Sequence, residues 1–163
     1  MAMHATFAAA LNVARTALDE LSEMLAGLPD EALDWSPAEG SNSIAVLTRH
    51  SLTATVFLAS TAAGLNPDRK AYLEGDRVEA FKARNTSPAL LREEIARTLA
   101  AIEGIMAHGS DASLAAAASW NWPNGRTPPG AELLIHSVGH LKEHAGQASL
   151  IRDLWVARGR GGQ

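Results

Sequence analysis

LLIHSVGHLKEHAGQASLIRDL, residues 133–154, is the stretch of this sequence from which the fold can best be predicted. Apolar residues and histidines recur in it at steps of three or four, which places them on one face of an α-helix. We therefore predict a long helix whose inner face carries imidazoles among its apolar side chains. The members of this stripe are Leu133, His136, His140, His144, Gln147, Ile151 and Leu154.

Three further segments show the same helical periodicity, and no segment shows the period-two alternation of a β-strand. Ser41 or Asn42 is the expected N-cap of the second helix, Ser87 with Pro88 begins the third, and Thr127 is the expected cap of the fourth. We predict an all-α four-helix bundle. Its first three helices cover about 5–26, 44–64 and 88–106.

The connections between the predicted helices differ in character. Residues 65–86 are polar and too long for a tight turn, so we expect a long crossover link between helices two and three, with a short helix at about 77–84. Residues 109–130 combine alanine, tryptophan and proline and predict an ordered loop. The bundle is expected to form a single domain over residues 1–158, followed by a flexible tail at 159–163.

The composition excludes several kinds of site. The 163 residues include no cysteine, so disulfides, thiolate metal ligands and a protein thiol nucleophile are excluded. A formal net charge of -4 gives no reason to expect nucleic acid or an anionic membrane as a partner, which leaves a small-molecule substrate. The N terminus lacks a signal-peptide pattern, which favours the cytoplasm. The uncharged stretch 50–67 raises the question of a membrane span, but its hydroxyl groups favour a buried bundle helix.

His140 and His144 are the basis of a predicted metal site. Residues four apart project from one helical face about 6 Å apart along the axis, so both imidazoles can reach one ion. His136 is displaced from His144 by about 12 Å, too far for both to bind one ion at about 2.1 Å. The third ligand must come from another helix, and of the remaining histidines only His50 lies mid-helix on an inner stripe.

A structural alternative applies to each histidine taken alone, because an inward imidazole can simply hydrogen-bond to a hydroxyl or carbonyl group. The clustering of several desolvated imidazoles without a cation is costly, and this favours a metal site for the set of three. His136 is expected to support a ligand, line a pocket or lie buried, and not to bind the ion directly.

The sequence resembles the DinB-like family over nearly its whole length. The resemblance is carried by LDWSP at 33–37, NSI at 42–44 with His50, and HSVGHLKEHAGQ at 136–147. It implies a four-helix bundle with one histidine from helix two and an HxxxH pair from helix four, which bind zinc or nickel. Many relatives have arginine at the position of Ala145 and histidine at that of Glu143, so the resemblance defines the ligands more closely than the substrate.

The resemblance also implies a class of chemistry, since relatives of known activity include thiol-dependent S-transferases and isomerases that use bacillithiol or mycothiol, and a sulfoxide synthase domain. Three neutral histidines leave a coordination position open, which is typical of catalytic ions. We therefore expect a metal-dependent transferase or hydrolase that uses a low-molecular-weight thiol. Glu143 and Gln147 are its candidate catalytic residues. Glu143 either serves as a base or pairs with Lys or Arg on a solvated face, and Gln147 either orients a ligand or substrate or satisfies a buried neighbour.

Other functions are also compatible with the sequence. Glu143 completes an HxxEH pattern found in one class of metalloproteases, although the tail after His144 offers only Asp153 as a further carboxylate. A non-catalytic, stress-related bundle that binds a metal or ligand is the main alternative, and an interaction protein that retains an unused site is another.

The tryptophans, Arg49 and the helix surface allow four further predictions. Trp120 and Trp122 are expected either to wall a substrate pocket at the metal or to plug the end of the bundle. Arg49 is a candidate for holding an anionic substrate, or is simply solvated. Trp35 and Trp155 are expected in the core or in a dimer contact. The alanine-rich helix surface favours a homodimer.

Overall fold

The computed structural model describes residues 2–160, and α-helix is their dominant secondary structure. Within this range the only β-type pairing is an isolated bridge between Ala117 and Pro129. The predicted all-α fold is therefore confirmed. The elements are α1 (Ala5–Leu25), α2 (Asp30–Asp34), α3 (Ile44–Ala62), α4 (Arg69–Ala71), a π-helical turn (Tyr72–Asp76), α5 (Arg77–Phe81), α6 (Pro88–Met106), α7 (Asp111–Ala115) and α8 (Gly130–Arg160).

The four long helices enclose one hydrophobic core. Helix α3 packs against α8 and α6, and α1 packs against the same two helices. Each long helix therefore buries its apolar stripe against two neighbours, as the periodicity requires. The largest fully buried side chains come from all four helices and include Phe7, Leu18, Leu21, Leu25, Ile44, Leu47, Leu91, Ile102, Met106, Leu133 and Leu134.

The helix caps confirm one sequence prediction and correct two. Ser87 caps α6 as expected, with its Oγ atom accepting from Leu90 N. Helix α3 is capped by Ser43, not by Ser41 or Asn42, because Ser43 directly precedes the first helical residue. Helix α8 begins at Gly130 and not after Thr127, since Pro128 and Pro129 intervene and the Thr127 hydroxyl donates to Asn121 Oδ1.

The link between α3 and α6 is more helical than predicted. A continuous helical segment covers residues 69–81, which we call the link helix, whereas the sequence predicted only a short helix at about 77–84. Asp68 explains the earlier start, because its Oδ1 atom accepts hydrogen bonds from the first-turn amides of Lys70 and Ala71. The link helix packs on α3, where Tyr72 stacks on Phe57 with ring centroids 4.3 Å apart.

Gly130 sets the position of α8. A Cβ atom at this residue would overlap the backbone oxygen of Ser113 in α7 and press on the backbone oxygen of Ala62 at the end of α3. The absence of a side chain therefore allows the start of α8 to approach both helices closely. Residues 116–130 fold back on themselves, with hydrogen bonds from Ala118 N to Pro128 O and from Gly130 N to Ala116 O, both at 2.9 Å.

Helix α8 extends through Arg160, so two residues of the predicted tail are helical. Residues 161–163, the remainder of that tail, lie outside the described residues. Among residues 2–160, no helix combines the length and the apolar character that a membrane span requires.

Candidate metal centre

Three histidines from two helices converge at the interface between α3 and α8. His50 lies on α3 and is 8% exposed, whereas His140 and His144 lie one turn apart on α8 and are half-buried. One ring nitrogen from each histidine falls within 4.8 Å of the other two. The structure thus brings together the three residues that the helical spacing selected, and the large α3–α8 contact positions them.

The distances within this group suit one small cation. The Nε2 atoms of His140 and His144 are 3.1 Å apart. Two nitrogens that bind one ion at about 2.1 Å with an angle of 90–110° are separated by about 3.0–3.4 Å. The ring of His50 stands with its centroid 4.9 Å from that of His140 and 5.1 Å from that of His144. All three imidazoles therefore face a common point.

Burial and mutual repulsion lower the pKa values of two histidines in this cluster. Desolvation, followed by the charges of His144 and Arg77, lowers the pKa of His50 to about 4. Desolvation, followed by the charges of His144, His50 and His136, lowers the pKa of His140 to about 3. Both imidazoles are therefore unprotonated at neutral pH, which is the form in which histidine binds metals.

Two buried nitrogens of the cluster lack a hydrogen-bond partner among the described residues, namely Nδ1 of His50 and Nδ1 of His140. A buried polar atom without a partner costs free energy, and native proteins rarely leave one without an ion, a water or a functional reason. Nδ1 of His140 lies across its ring from the Nε2 atom that faces His144, so it would not bind the same ion. The donor set of three imidazoles fits a divalent cation of the zinc or nickel type, which favours nitrogen ligands.

Gln147 and Glu143 form a hydrogen-bonded chain behind His144. Gln147 Nε2 donates to Glu143 Oε1 at 3.2 Å, which turns the amide oxygen of Gln147 towards Nδ1 of His144 at 2.7 Å. A carbonyl oxygen can only accept, so the proton of His144 lies on Nδ1. Its Nε2 atom then presents a lone pair to the site.

The other histidines lie outside the group. His136 is exposed, and its ring meets Trp122 at 5.2 Å and His140 at 5.8 Å, so it borders the site without being buried. His4 caps α1 and contacts Asp111. His108 is exposed beyond the end of α6.

Aromatic rings extend from the histidines along one side of the protein. His136 meets Trp122, which meets Trp120 at 5.1 Å, and Trp120 lies 5.8 Å from Phe57. The loop that carries both tryptophans is fixed by Glu132, which accepts from Trp122 Nε1 at 3.3 Å and pairs with Arg126 at 2.6 Å. These aromatic residues form a continuous row, which we call the wall, that begins at His136 beside the candidate site.

Phe81 and Arg77 are functional candidates that the sequence analysis missed. The ring of Phe81 lies 4.6 Å from that of His50, and the Cζ atom of Arg77 lies 4.9 Å from the centroid of the Phe81 ring. Arg77 and Phe81 are four residues apart, a spacing that places two side chains on one face of a helix. Nothing in that spacing, however, reveals that the link helix crosses α3 beside His50.

Arg49 is not free to hold an anion. Its guanidinium forms two hydrogen bonds to Glu94 of α6, at 2.9 and 2.7 Å, and this pairing raises the arginine pKa. Arg49 therefore ties α3 to α6. Trp35 and Trp155 pack edge to face at 5.7 Å, with Arg158 over both rings.

The HxxEH pattern lacks the further acidic ligand that a protease site needs. Among the described residues, the group with metal-binding geometry contains histidines alone, and no carboxylate joins it. Glu143 is exposed and points along α8 towards Gln147.

The comparisons with known proteins agree with this fold. A sequence model of the DinB superfamily matches residues 14–148. No curated protein sequence matches significantly.

Solved structures with the same fold have low sequence identity to this chain. A conserved protein from Enterococcus faecalis aligns with a TM-score of 0.74 and 19% identity, over 96% of this chain and 99% of its own. A mycothiol-dependent maleylpyruvate isomerase aligns with a TM-score of 0.60 and 17% identity, over 85% of this chain. A variant of that isomerase with one histidine replaced by alanine aligns with a TM-score of 0.63 and 18% identity, over the same share. This chain spans 59% of the isomerase's length.

Proposed function

This chain belongs to the DinB superfamily, and from that membership and the geometry of its histidines we propose that it is a metal-dependent enzyme. His50, His140 and His144 are the proposed ligands, and zinc or nickel is the proposed ion. The observation that carries the proposal is the approach of three ring nitrogens, one from each histidine, within 4.8 Å of one another.

The proposed reaction is thiol-dependent S-transfer, or a related transfer or hydrolysis, with a low-molecular-weight thiol as cosubstrate. Bound at three neutral histidines, such an ion supplies a positive charge that lowers the pKa of a thiol or water and leaves a coordination position for it. The thiol must come from outside, because the protein has no cysteine. Small thiols are kept reduced in the cytoplasm, which fits the location expected from the sequence. The likeness to an isomerase named as mycothiol-dependent also supports this choice.

Residues of this chain would orient the reactants. Gln147 holds the proton of His144 on Nδ1, so that Nε2 faces the site. Trp122 contacts His136 and Phe81 contacts His50, so aromatic rings from two different segments border the histidines. A thiol or electrophile that enters between these rings would be held near the three imidazoles.

Glu143 is the proposed proton acceptor. Its carboxylate is exposed and lies at the end of the hydrogen-bonded chain through Gln147 to His144. In this position it can exchange protons with solvent. We also propose that Gln147 acts by positioning His144, and that neither residue binds the ion.

The test is turnover by protein loaded with zinc or nickel, assayed with an electrophile such as a haloarene or an epoxide and with a panel of thiols that includes bacillithiol and mycothiol. We expect thiol consumption that requires both the metal and His50, and that persists in the control variant His108→Ala. Undetectable or metal-independent turnover across the panel would favour the non-catalytic metal-binding bundle.

A further inference from the structure

Two arginines of the link helix lie against aromatic rings and not against carboxylates. The Cζ atom of Arg69 is 5.2 Å from the ring centroid of Trp120, and that of Arg77 is 4.9 Å from the centroid of Phe81. Neither guanidinium forms a hydrogen bond or ion pair with any residue in the range 2–160. An arginine stacked on a ring keeps its N–H donors available at the ring edge, in the planar fork that matches a carboxylate.

The acidic residues nearby are engaged elsewhere. Glu79 pairs with Lys82 at 2.9 Å, and Glu74 lies 3.9 Å from Lys70. Asp68 accepts backbone hydrogen bonds at the start of α4. Asp76, although adjacent to Arg77 in sequence, forms no ion pair with it. Lys70 and Lys82 are thus paired with glutamates of the link helix, whereas Arg69 and Arg77 take part in no ion pair, an arrangement that favours an anion from outside.

Both arginines border the face that carries the metal centre. Phe81, beneath Arg77, has its centroid 4.6 Å from that of His50, so Arg77 Cζ lies at most about 9.5 Å from the His50 ring, the sum of the two distances. Arg69 stands further along the wall, over Trp120, which continues through Trp122 towards the histidines. Aromatic surface therefore connects two cationic groups with the cluster.

We propose that Arg77, assisted by Arg69, binds the carboxylate of a small anionic substrate whose reacting atom lies at the three histidines. This inference rests on the proposed function, because it takes the histidine cluster as the reacting centre. The substrate class that fits is a thiol or electrophile with an apolar or planar middle and a carboxylate at one end. A substrate with a second carboxylate would also contact Arg69.

The experiment compares three probes by NMR titration of the zinc-loaded protein: mercaptohexanoate, mercaptohexanol and hexanoate. The first two differ only in the charged end, and the third lacks the thiol. The variants are Arg77→Gln and Arg69→Gln. Lys70→Gln is the matched control, because it removes the same charge from the same helix at a side chain that lies on no aromatic ring.

We expect mercaptohexanoate to bind about tenfold more tightly than mercaptohexanol, as one charge-assisted contact allows. Arg77→Gln should abolish this preference and Arg69→Gln should reduce it, while Lys70→Gln should retain it. Added salt should weaken the preference, because Arg77 is exposed.

The possible failures are distinguishable. Equal binding of the two thiols, with no effect of Arg77→Gln, would overturn the anion site while leaving the metal–thiol proposal intact. If neither thiol binds better than hexanoate, yet hexanoate binding is lost in Arg77→Gln, the anion site is supported and thiol binding at the metal fails. If none of the three probes binds, the anion site is overturned.

Discussion

The Nε2 atom of His140 lies 3.1 Å from the Nε2 atom of His144, within the range expected for two ligands of one ion. His136, one turn earlier on the same helix, has its ring 5.8 Å from that of His140 and is exposed. Helix α8 therefore offers two of its three histidines to a single point and directs the third towards Trp122. This difference makes the proposed ligand set testable.

Single alanine substitutions should divide the histidines into two groups. His50→Ala, His140→Ala and His144→Ala each remove one of three ligands, so we expect zinc affinity to fall by more than the ~10–100-fold typical of supporting residues. His136→Ala and His108→Ala should bind zinc like the unmodified chain. Metal content is measured on folded protein, with helicity checked by circular dichroism. A site emptied by His136→Ala but filled in His144→Ala would contradict the assignment.

Gln147→Leu should weaken zinc binding by about 10–100-fold, because the acceptor that holds the His144 proton on Nδ1 is lost. Glu143→Gln is the matched control, since its amide oxygen can still accept from Gln147 and should cost less. Affinity is measured by competition with a chelator of known strength. If Gln147→Leu binds zinc as tightly as the unmodified chain, Gln147 does not position His144.

Stability of the metal-free protein should decrease as the pH falls. The pKa values of His50 and His140 are lowered from 6.5 to about 4 and about 3, so below 6.5 the unfolded chain binds more protons than the folded one. The loss is at most about 1.4 kcal/mol per pH unit for each histidine. Urea unfolding with a chelator present, at roughly pH 7, 6 and 5, measures it. His50→Gln should flatten the dependence, and an unchanged slope would contradict the assigned cause.

Gly130→Ala should destabilise the protein by about 1–3 kcal/mol, because a Cβ atom there overlaps the Ser113 backbone oxygen and displaces the start of α8. Gly139→Ala is the matched control on the same helix. It is exposed and a Cβ atom there meets nothing within 4 Å, so we expect a gain of about 0.5–1 kcal/mol. Thermal unfolding of the two variants measures the difference. Equal changes in stability would contradict the close approach of Gly130 to the backbone of Ser113.

We also expect a homodimer, through the outer face of α8. Three large apolar side chains on that helix are exposed: Ile135 (73%), Leu150 (60%) and Leu154 (43%). A partner chain would cover them. Light scattering at micromolar concentration should give about twice 17.2 kDa. Leu150→Lys should reduce the measured mass to that of one chain. A 17 kDa particle for the unmodified chain would contradict this prediction.

Helical periodicity was sufficient to predict the long helices and the candidate ligands. An apolar stripe indicates which face of a helix is buried, and His50, His140 and His144 turn inward as predicted, whereas three other members of the predicted α8 stripe are exposed: His136, Gln147 and Leu154. His50, on α3, could therefore be associated with His140 and His144 from the spacing of residues alone. Periodicity does not depend on the conformation of the loops, so the long helices could be predicted without knowing how the loops fold.

The link helix and the exact helix starts could not be predicted in the same way. Asp68 and Ser43 each begin a helix through side-chain hydrogen bonds, and several neighbouring polar residues were equally plausible caps. The approach of Phe81 to His50 depends on how the link crosses α3. That is a tertiary relationship without a local sequence signal, so Arg69 and Arg77 were missed with it.

The π-helical turn at Tyr72–Asp76 aligns two arginines that a regular α-helix of the same length would separate. In a regular α-helix, eight residues rotate the chain by about 800°, which would place Arg77 about 80° around the helix from Arg69. A π-turn accommodates one additional residue, which reduces this offset to about 20° in the opposite sense. Loss of a single residue such as Gly75 would convert the segment to a regular α-helix and leave the two arginines seven residues apart, a rotation of about 700° that keeps the same offset of about 20°. Straightening of the π-turn without such a loss would instead rotate the two guanidinium groups apart, without changing either arginine. Homologous chains that lack both the π-turn and one residue here would therefore present the two arginines on the same side.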